Sequence, residues 1–464
     1  MIPQEDHTLF RQLGRIADDL NEGLYVVGGY VRDRFLHRSN DGDIDFVVVG
    51  DGPRFAEQAA KALGAHKVTI YRKFGTAMIR YRNYTLEFVG ARKESYRGDS
   101  RKPKVQGADL MTDLKRRDFT INAMAIALNH SQFGTLVDPF KGQSDLRTGL
   151  IRTPLDPKMT FYDDPLRIMR AIRFATQLDF DIVPQTRYAL RTEAERLHII
   201  SQERITDELD KILLAPKPSL GLSIMDETGV LDLILPEISA LKGVDQVGVH
   251  RHKDVFHHTL AVVDNLAAVS DKRELRITAL FHDVAKPRTK AFQEGVGWTF
   301  HGHEEVGAFM FQRIGRRLRY SRETIAYVNK LIRLHLRPIH LSEEGVTDSA
   351  IRRLIFKAGD DIDDLMTLCR ADITSGNPQR VKKHLANFDI VAQRIIEVEE
   401  KDRLRNFQPP VRGDEIMEVL GLSPGPMVGK IKKAIEEAIL NGDIPNEHDA
   451  AYEYMMEIKD GMLG

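Results

Sequence analysis

Cysteine is almost missing from this chain. Cys369 is the only one, which excludes an intramolecular disulfide and a cysteine-ligated zinc site and fits a reducing compartment. Long apolar runs are missing too: none approaches the roughly 20 residues needed to span a bilayer. The opening MIPQEDHTLFRQLG has neither the basic nor the apolar segment of a signal peptide. We therefore expect a cytoplasmic protein with no membrane partner. Charge of one sign is also absent. Lys and Arg number 67 against 68 Asp and Glu, a formal net charge of −1, so any RNA contact must come from local patches. There is no internal repeat and no low-complexity tract.

What is there describes an ordinary core-forming protein, 42% hydrophobic and 29% charged over 464 residues. That length suggests about three or four domains. Apolar spacing predicts a helix over about 8–21 and a short strand, Leu24 to Val27, ended by Gly28 and Gly29; a helix over about 30–37 follows. IDFVVVG, from Ile44, reads as a buried strand and 53–63 as a helix. Strand-like stretches follow near 66–70, 75–81 and 84–90, with a little more at Val105 to Ala108. The polar span ARKESYRGDSRKPK (91–104) reads as a mobile loop. An α/β sheet domain ending near 150 is the expectation. From Asp163 onward strand signals almost vanish, and Leu166, Met169, Ala171, Ile172 and Ala175 mark helices that continue to the end. Boundaries near 150, 240 and 380 divide the chain into 1–150, 151–240, 241–380 and 381–464.

VVGGYVRD (26–33) reads as a strand, a glycine turn and a helix start. Glycines let backbone N–H groups approach a phosphate, and a helix N-terminus favours anions. Arg32, one turn in, adds a charged fork suited to a triphosphate. Two glycines after a strand are also simply a turn. DGDIDFVVVG (41–50) gives them more weight. Asp43 and Asp45 flank Ile44 at the start of a strand, so both carboxylates leave one face. Adjacent acids repel, and a pair of Mg²⁺ ions explains why both are present: hard cations take oxygen ligands, and two of them clamp the attacking and leaving oxygens of phosphoryl transfer. A polar turn at a strand entry is the plain alternative. Glu87, in TLEFV, is either a third carboxylate or a solvent-facing strand residue.

GGYVRD, DIDFVVVG, FGTA (74–77), RRDFTINAMA (116–125), DPFKGQSDL (138–146) and DDPLRIMRAIRFA (163–175) follow one another as they do in class II tRNA nucleotidyltransferases. The chain resembles that family over about residues 24–240. The family includes CCA-adding enzymes, separate CC-adding and A-adding enzymes, and bacterial poly(A) polymerases. The resemblance implies a polymerase-β-like palm, then helical neck and body regions that recognise the base. It implies Mg²⁺ at Asp43 and Asp45 with Glu87 as a looser third acid, and Gly28, Gly29, Arg32 and Asp33 around the triphosphate. Arg117, Asp118 and Asn122 would contact sugar and phosphates; Asp118 and Asn122, spaced i,i+4 on a helical face, suit one ribose. Asp164 and Arg167, extended by Arg170, would read the base edge, since arginine offers only donors and an ionised carboxylate only acceptors. Where the family reads EDxxR this chain has Asp163, a shorter acid, before an intact Asp164 and Arg167. Capping and surface pairing remain the alternatives for these residues. The implied partners are a tRNA or other RNA 3′ end, ATP and CTP. Residues 72–104, ten Lys/Arg against three Asp/Glu, stand where family members use a flexible stretch to switch from C to A.

Half of the 16 histidines fall between His250 and His335. His258, His282, Asp283 and Asp372 resemble, in order and spacing, the ligands of HD-domain phosphohydrolases over about residues 245–375. His303 and His335 occupy the places of extra ligands in two-metal sites. Adjacent His282 and Asp283 meet one metal only if the helix is distorted or the ion lies across its end. Imidazole with carboxylate suits Mn²⁺, Fe²⁺, Ni²⁺ or Mg²⁺ better than a structural zinc. His252, His257 and His301 are bystanders. The fold class expected is therefore multidomain: an N-terminal α/β polymerase-β-like palm, an all-α neck and body, an all-α HD domain and a helical tail. CCA addition with a second, phosphohydrolase activity leads the readings. A poly(A) polymerase or a CC- or A-adding enzyme is the alternative, and an HD hydrolase with a non-catalytic RNA-binding module is an alternative of another class.

Overall fold

The computed structural model describes residues 2–38, 42–65, 67–72, 75–97, 100–246, 253–295, 297–343, 347–374, 377–402 and 409–463. Asp41, Phe74, His250, His252 and Ser375 of the motifs above lie outside the described residues. The chain divides into two compact units, Met1–Leu235 and Pro236–Gly464. An α/β palm opens the first, and the remainder of the chain is mostly helical.

In the first unit, α1 (Gln4–Asp19) is followed by β1 (Gly23–Val27), α2 (Gly29–Phe35), β2 (Asp43–Val49) and α3 (Gly52–Leu63). Next come β3 (Val68–Tyr71), β4 (Thr76–Tyr81), β5 (Tyr84–Gly90), β6 (Arg92–Arg97), β7 (Ser100–Gly107), α4 (Leu110–Lys115), β8 (Ala125–Ala127) and β9 (Leu136–Val137). The main sheet has the order β3-β4-β5-β2-β1-β8-β9. Among the described residues of this sheet β2 and β5 are the one pair that runs parallel, and the long path through α3 and the β3–β4 hairpin makes that crossover possible. Leu9, Phe10, Leu13 and Ala17 form the buried stripe of α1. Asp51 caps α3 by accepting from the Arg54 N–H at 3.1 Å, with Pro53 in the first turn and Gly64 in the left-handed conformation at the end.

On the inner face of β2 and β5, Phe46 stacks on Phe88 with centroids 4.9 Å apart, flanked by Phe10 at 5.6 Å and Phe55 at 5.2 Å. All four rings are buried. This aromatic layer locks the register, because a one-residue slip would turn it into solvent and bury the alternating acids. Buried Asp6 ties α1 to the sheet: it accepts from the Tyr30 hydroxyl at 2.5 Å, the Tyr84 hydroxyl at 2.9 Å and the Arg34 guanidinium at 3.1 Å.

Of residues 91–104, expected as a loop, Gly98 and Asp99 lie outside the described residues, and Arg92–Arg97 with Ser100 onward instead form most of an antiparallel ribbon. Arg92 pairs with Gly107 and Ser95 with Lys104, and the register shifts between Ser95 and Arg97. A two-stranded ribbon outside the main sheet needs no alternating apolar face and tolerates Pro103, so its sequence reads as polar coil.

Beyond β9, α5 (Gly142–Thr148), α6 (Pro157–Asp163) and α7 (Leu166–Leu178) begin the helical part of the unit. In the second unit, helices Val255–Ala267, Arg273–Phe281, His303–Arg317, Arg322–Leu334 and Ile362–Asp372 enclose a core that includes Val263, Leu280, Phe311, Leu331 and Leu368. The expectation of helix to the end misses several short strands among the described residues: Asp181–Ile182, which pairs with Leu150–Ile151, the pair Asp245–Gln246 with Lys253–Asp254, and an antiparallel hairpin of Ala291–Gln293 with Gly297–Thr299. Strands this short cannot display a period. Among the described residues no helix is long and apolar enough to cross a membrane.

Removing a buried carboxylate that serves three donors strands them all. Asp6→Ala should destabilise the first unit by about 3 kcal/mol, seen as an earlier calorimetric transition. An unchanged transition would mean that this contact does not hold α1 in place.

Candidate functional site

Asp43 and Asp45 project from the outer face of β2, opposite buried Ile44 and Phe46. The parallel register sets Glu87 directly beside Asp45. Burial by surrounding protein raises the Asp45 pKa; Arg117 pulls it down and Asp43 adds to the rise. Glu87 is raised chiefly by burial and next by Asp45, with Arg92 opposing and Asp43 adding a little. Asp45 and Glu87, disfavoured as anions by burial and then by neighbouring acid charge, gain from a bound cation, so together with Asp43 they fit divalent metal. Their oxygens do not form a closed ligand group of the kind seen in the second unit. An open arrangement suits Mg²⁺, which keeps few protein ligands and completes its shell with water and substrate phosphate.

Gly28 lies between this face and a row of arginines. Its φ is +70°, and a Cβ there would come within 3.3 Å of an Arg117 Nη and 3.7 Å of an Asp45 oxygen. Only glycine keeps that space open. From Gly28 the side chains named in the sequence run as one hydrogen-bonded line. Arg32 donates from Nη1 to Asn122 Oδ1 at 2.9 Å, and Asn122 Nδ2 donates to Asp118 Oδ1 at 3.1 Å. Arg170 donates to Asp118 Oδ2 through Nε at 2.9 Å and Nη2 at 2.5 Å. Asp33 accepts both remaining Arg32 arms at 2.8 Å, so it holds Arg32. Asp118 and Asn122 meet, but not along an α-helix: Phe119 is extended and Thr120–Asn122 is a single 3-10 turn, which brings the amide back onto the carboxylate. Arg167 donates to the Arg116 carbonyl at 2.7 Å, and Asp164 accepts the Leu166 N–H at 3.3 Å at the start of α7.

In the second unit, His258, His282 and Asp372 form one group and Asp283, His303 and His335 a second, with ligand atoms within 4.8 Å inside each group. Asp283 spans both: its Oδ2 is 3.4 Å from His258 Nε2 and 3.2 Å from His282 Nε2, and its Oδ1 is 3.3 Å from His303 Nε2. The helix ends at Phe281, so His282 and Asp283 converge across its end. His282, His303 and His335 each turn Nδ1 toward the carbonyl three residues back, at 2.8, 2.8 and 2.6 Å. A carbonyl only accepts, so Nδ1 carries the proton and Nε2 is left as the ligand atom. His282 Nε2, Asp283 Oδ1 and Asp372 Oδ1 are buried without a hydrogen bond. Such orphaned atoms, divided between two adjoining groups, fit a pair of divalent cations. His257 and His301 stand outside both groups.

Comparisons with known proteins place the chain in a family. Residues 24–152 match the poly A polymerase head domain, 179–242 the probable RNA and SrmB-binding site of polymerase A, and 255–375 the HD domain. A CC-adding tRNA nucleotidyltransferase of Thermus thermophilus is 33% identical over 437 residues, 92% of each chain. The chain belongs to the tRNA nucleotidyltransferase family. An A-adding tRNA nucleotidyltransferase of Deinococcus radiodurans is also 33% identical, over 74% of this chain and 78% of that one. Among solved structures, a CCA-adding enzyme in complex with CTP superposes with a TM-score of 0.65 at 25% identity, covering 100% of this chain and 96% of that one. This chain is accordingly an enzyme of nucleotidyl transfer carrying an HD domain.

Several residues that shape this nucleotidyltransferase site escaped the sequence reading. Fully buried Asp113 accepts from Arg116 at 2.5 Å and Arg117 at 3.2 Å, and the i,i+3 and i,i+4 spacing was its only signal. Phe174 lies under three guanidiniums, those of Arg32, Arg170 and Arg173, at 5.0, 5.4 and 4.0 Å. In the HD cluster, Lys286 donates to Asp283 at 2.6 Å and Thr374 meets His258 Nδ1 at 2.7 Å.

Burial alone would raise the Asp118 carboxyl, but the Arg170 charge and the Arg170 and Asn122 hydrogen bonds hold it at about 2. A depressed folded pKa gives stability that is present above the ordinary carboxylate value and is lost as pH falls through the folded one. The first unit should therefore lose about 2 kcal/mol between roughly pH 4 and pH 2 through this group. In denaturant titrations Asp118→Asn should flatten that part of the slope; an unaltered slope would remove Asp118 as its cause.

Burial would lower His282, yet Asp283 and Asp372 beside it hold its pKa up at about 10, whereas burial and the His282 charge push His335 down to about 3. A cation entering between those carboxylates must expel the His282 proton. Calorimetric titration with Mn²⁺ at neutral pH, in buffers of different ionisation enthalpy, should register proton release. Heats independent of buffer would count against it.

Proposed function

We propose that this enzyme adds C, C and A, from CTP and ATP, to the 3′ end of tRNA in the cytoplasm, and that its HD cluster hydrolyses phosphate esters. The observation that carries the transfer reading is the line of side chains from Asp43, Asp45 and Glu87 past Gly28 to Arg32, Asn122, Asp118 and Arg170. We divide the chain for this purpose into a palm (1–150), a neck and body for the base (151–240), the HD domain (241–380) and a helical tail (381–464).

Asp43 and Asp45, with Glu87 in support, hold Mg²⁺, which when bound activates the primer 3′-hydroxyl and offsets charge on the leaving pyrophosphate. Gly28 and Gly29 admit the triphosphate close to the backbone, and Arg32 and Arg117 offer it charged donors. Asp33 keeps Arg32 from swinging away. Asp118 and Asn122 accept and donate to the ribose. Arg167, steadied by the Arg116 carbonyl, and Asp164 present a donor set and an acceptor set to the base edge, with Arg170 beside them. Positioning and electrostatics therefore account for the chemistry, and the chain forms no covalent bond to the substrate.

His258, His282, Asp283, His303, His335 and Asp372 hold Mn²⁺, Ni²⁺, Fe²⁺ or Mg²⁺, which when bound supplies a water nucleophile at neutral pH. Lys286 steadies Asp283 between the two groups.

CCA addition is our reading of the product, supported by a 33% identical relative named multifunctional CCA protein and set against CC-adding and A-adding relatives of equal identity. Incubating the enzyme and Mg²⁺ with tRNA lacking its last three nucleotides, and CTP, ATP or both, should yield CCA. A stop at CC, a requirement for a CC end, or long A tracts each selects a sibling activity and overturns the CCA product. Asp43→Ala should abolish transfer and spare hydrolysis, while His282→Ala should do the reverse. Loss of both from either change would mean that the two sites are not separable.

A further inference from the structure

The hairpin of Ala291–Gln293 with Gly297–Thr299 carries none of the ligands of the site described above. Phe292 and Trp298 are a directly opposed cross-strand pair. Their rings meet edge to face, 5.3 Å apart at 75°. Both are open to solvent, Phe292 at 66% and Trp298 at 42%. The Lys290 ammonium lies 4.6 Å from the indole centroid. A two-stranded hairpin has no core of its own to justify large apolar rings, and the whole of the Ala291–Gln293 strand is exposed. The chain on either side joins the metal cluster. Upstream, Lys286 donates to Asp283 at 2.6 Å and stands over the Phe300 ring at 5.8 Å. Downstream, the Phe300 carbonyl accepts the Nδ1 proton of His303. Five residues separate Trp298 from His303, so their Cα atoms lie within roughly 18 Å.

Aromatic faces beside cationic side chains are how proteins take single nucleotides and strand ends: the rings stack on bases and the charges meet phosphates. We propose that Trp298 and Phe292 are a stacking platform for a nucleobase of the substrate whose phosphate the histidine–aspartate cluster receives. That substrate is then a nucleoside phosphate, free or at the end of an RNA strand. One indole face meets Lys290 and the base stacks on the other. The proposal rests on the HD cluster being a phosphohydrolase site, and the test separates the two.

Trp298 is the only tryptophan in the chain, so its fluorescence reports this surface directly. The full-length enzyme with Mn²⁺ is titrated with a short oligoribonucleotide ending in a 3′-phosphate, with adenosine 3′-phosphate, and with glycerol phosphate, and phosphate release is followed in parallel. The two base-bearing ligands should quench saturably and glycerol phosphate should not. Quenching by the oligonucleotide alone identifies the strand end as the ligand; quenching by both identifies the nucleotide unit. Phe292→Ala should weaken binding roughly ten-fold. Trp298→Ala should raise KM on base-bearing substrates by about as much, leave kcat in place, and recover with Trp298→Phe. No quenching by either base-bearing ligand, or equal quenching by glycerol phosphate, overturns the platform. Quenching without phosphate release leaves the platform standing and removes the hydrolase reading; phosphate release from all three ligands without quenching does the opposite.

Discussion

Stacked rings at Phe46 and Phe88 hold β2 and β5 in a single parallel register, and the transfer site depends on that pairing. Alternation along a strand means that whatever packs below decides what stands above. Because Phe46 and Phe88 are buried, Asp45 and Glu87 next to them must leave the opposite face, and Asp43 joins them two residues away. Apolar burial beneath thus sustains electrostatic repulsion above. Asp6 of α1 ties that helix to β5 through Tyr84 and to α2 through Tyr30.

The two acidic sites resolve their charge in opposite ways. In the palm Asp45 and Glu87 are raised first by burial and then by neighbouring acids, and are relieved only in part by Arg117 and Arg92. Under the proposed reading, a substrate carrying phosphates would supply the remaining ligands of this open site. In the HD cluster each carboxylate sits among imidazoles and is held far below its usual range, Asp283 and Asp372 both by the neighbouring His282 charge acting against burial. That arrangement is closed, oriented by backbone carbonyls and almost fully buried. The first is organised for a substrate that brings its own charge, the second for ions bound by the protein itself.

Legibility in the sequence followed the range of each interaction. Asp43 and Asp45 were visible as a same-face pair because strand alternation is local. The line from Arg32 to Asn122 to Asp118 to Arg170 was not, since its contacts join positions 90 and 52 residues apart. Spacing suggested an α-helical face for Asp118 and Asn122, and the extended Phe119 replaced it with a tight turn. Polar composition concealed the β6–β7 ribbon, and shortness concealed the hairpin at Phe292 and Trp298.

By itself the sequence determined the order of the elements up to β5, the inward and outward faces of β2, and the helical character of most of the chain beyond Asp163. Those depend on period, composition and residue type, which any stretch of chain carries within itself. Tertiary structure alone decided which acid stands beside Asp45, that Arg32 reaches Asn122, that Phe174 underlies three arginines, and that Asp283 reaches both histidine groups. Each depends on how distant segments are brought together, and that is fixed by the buried layers between them.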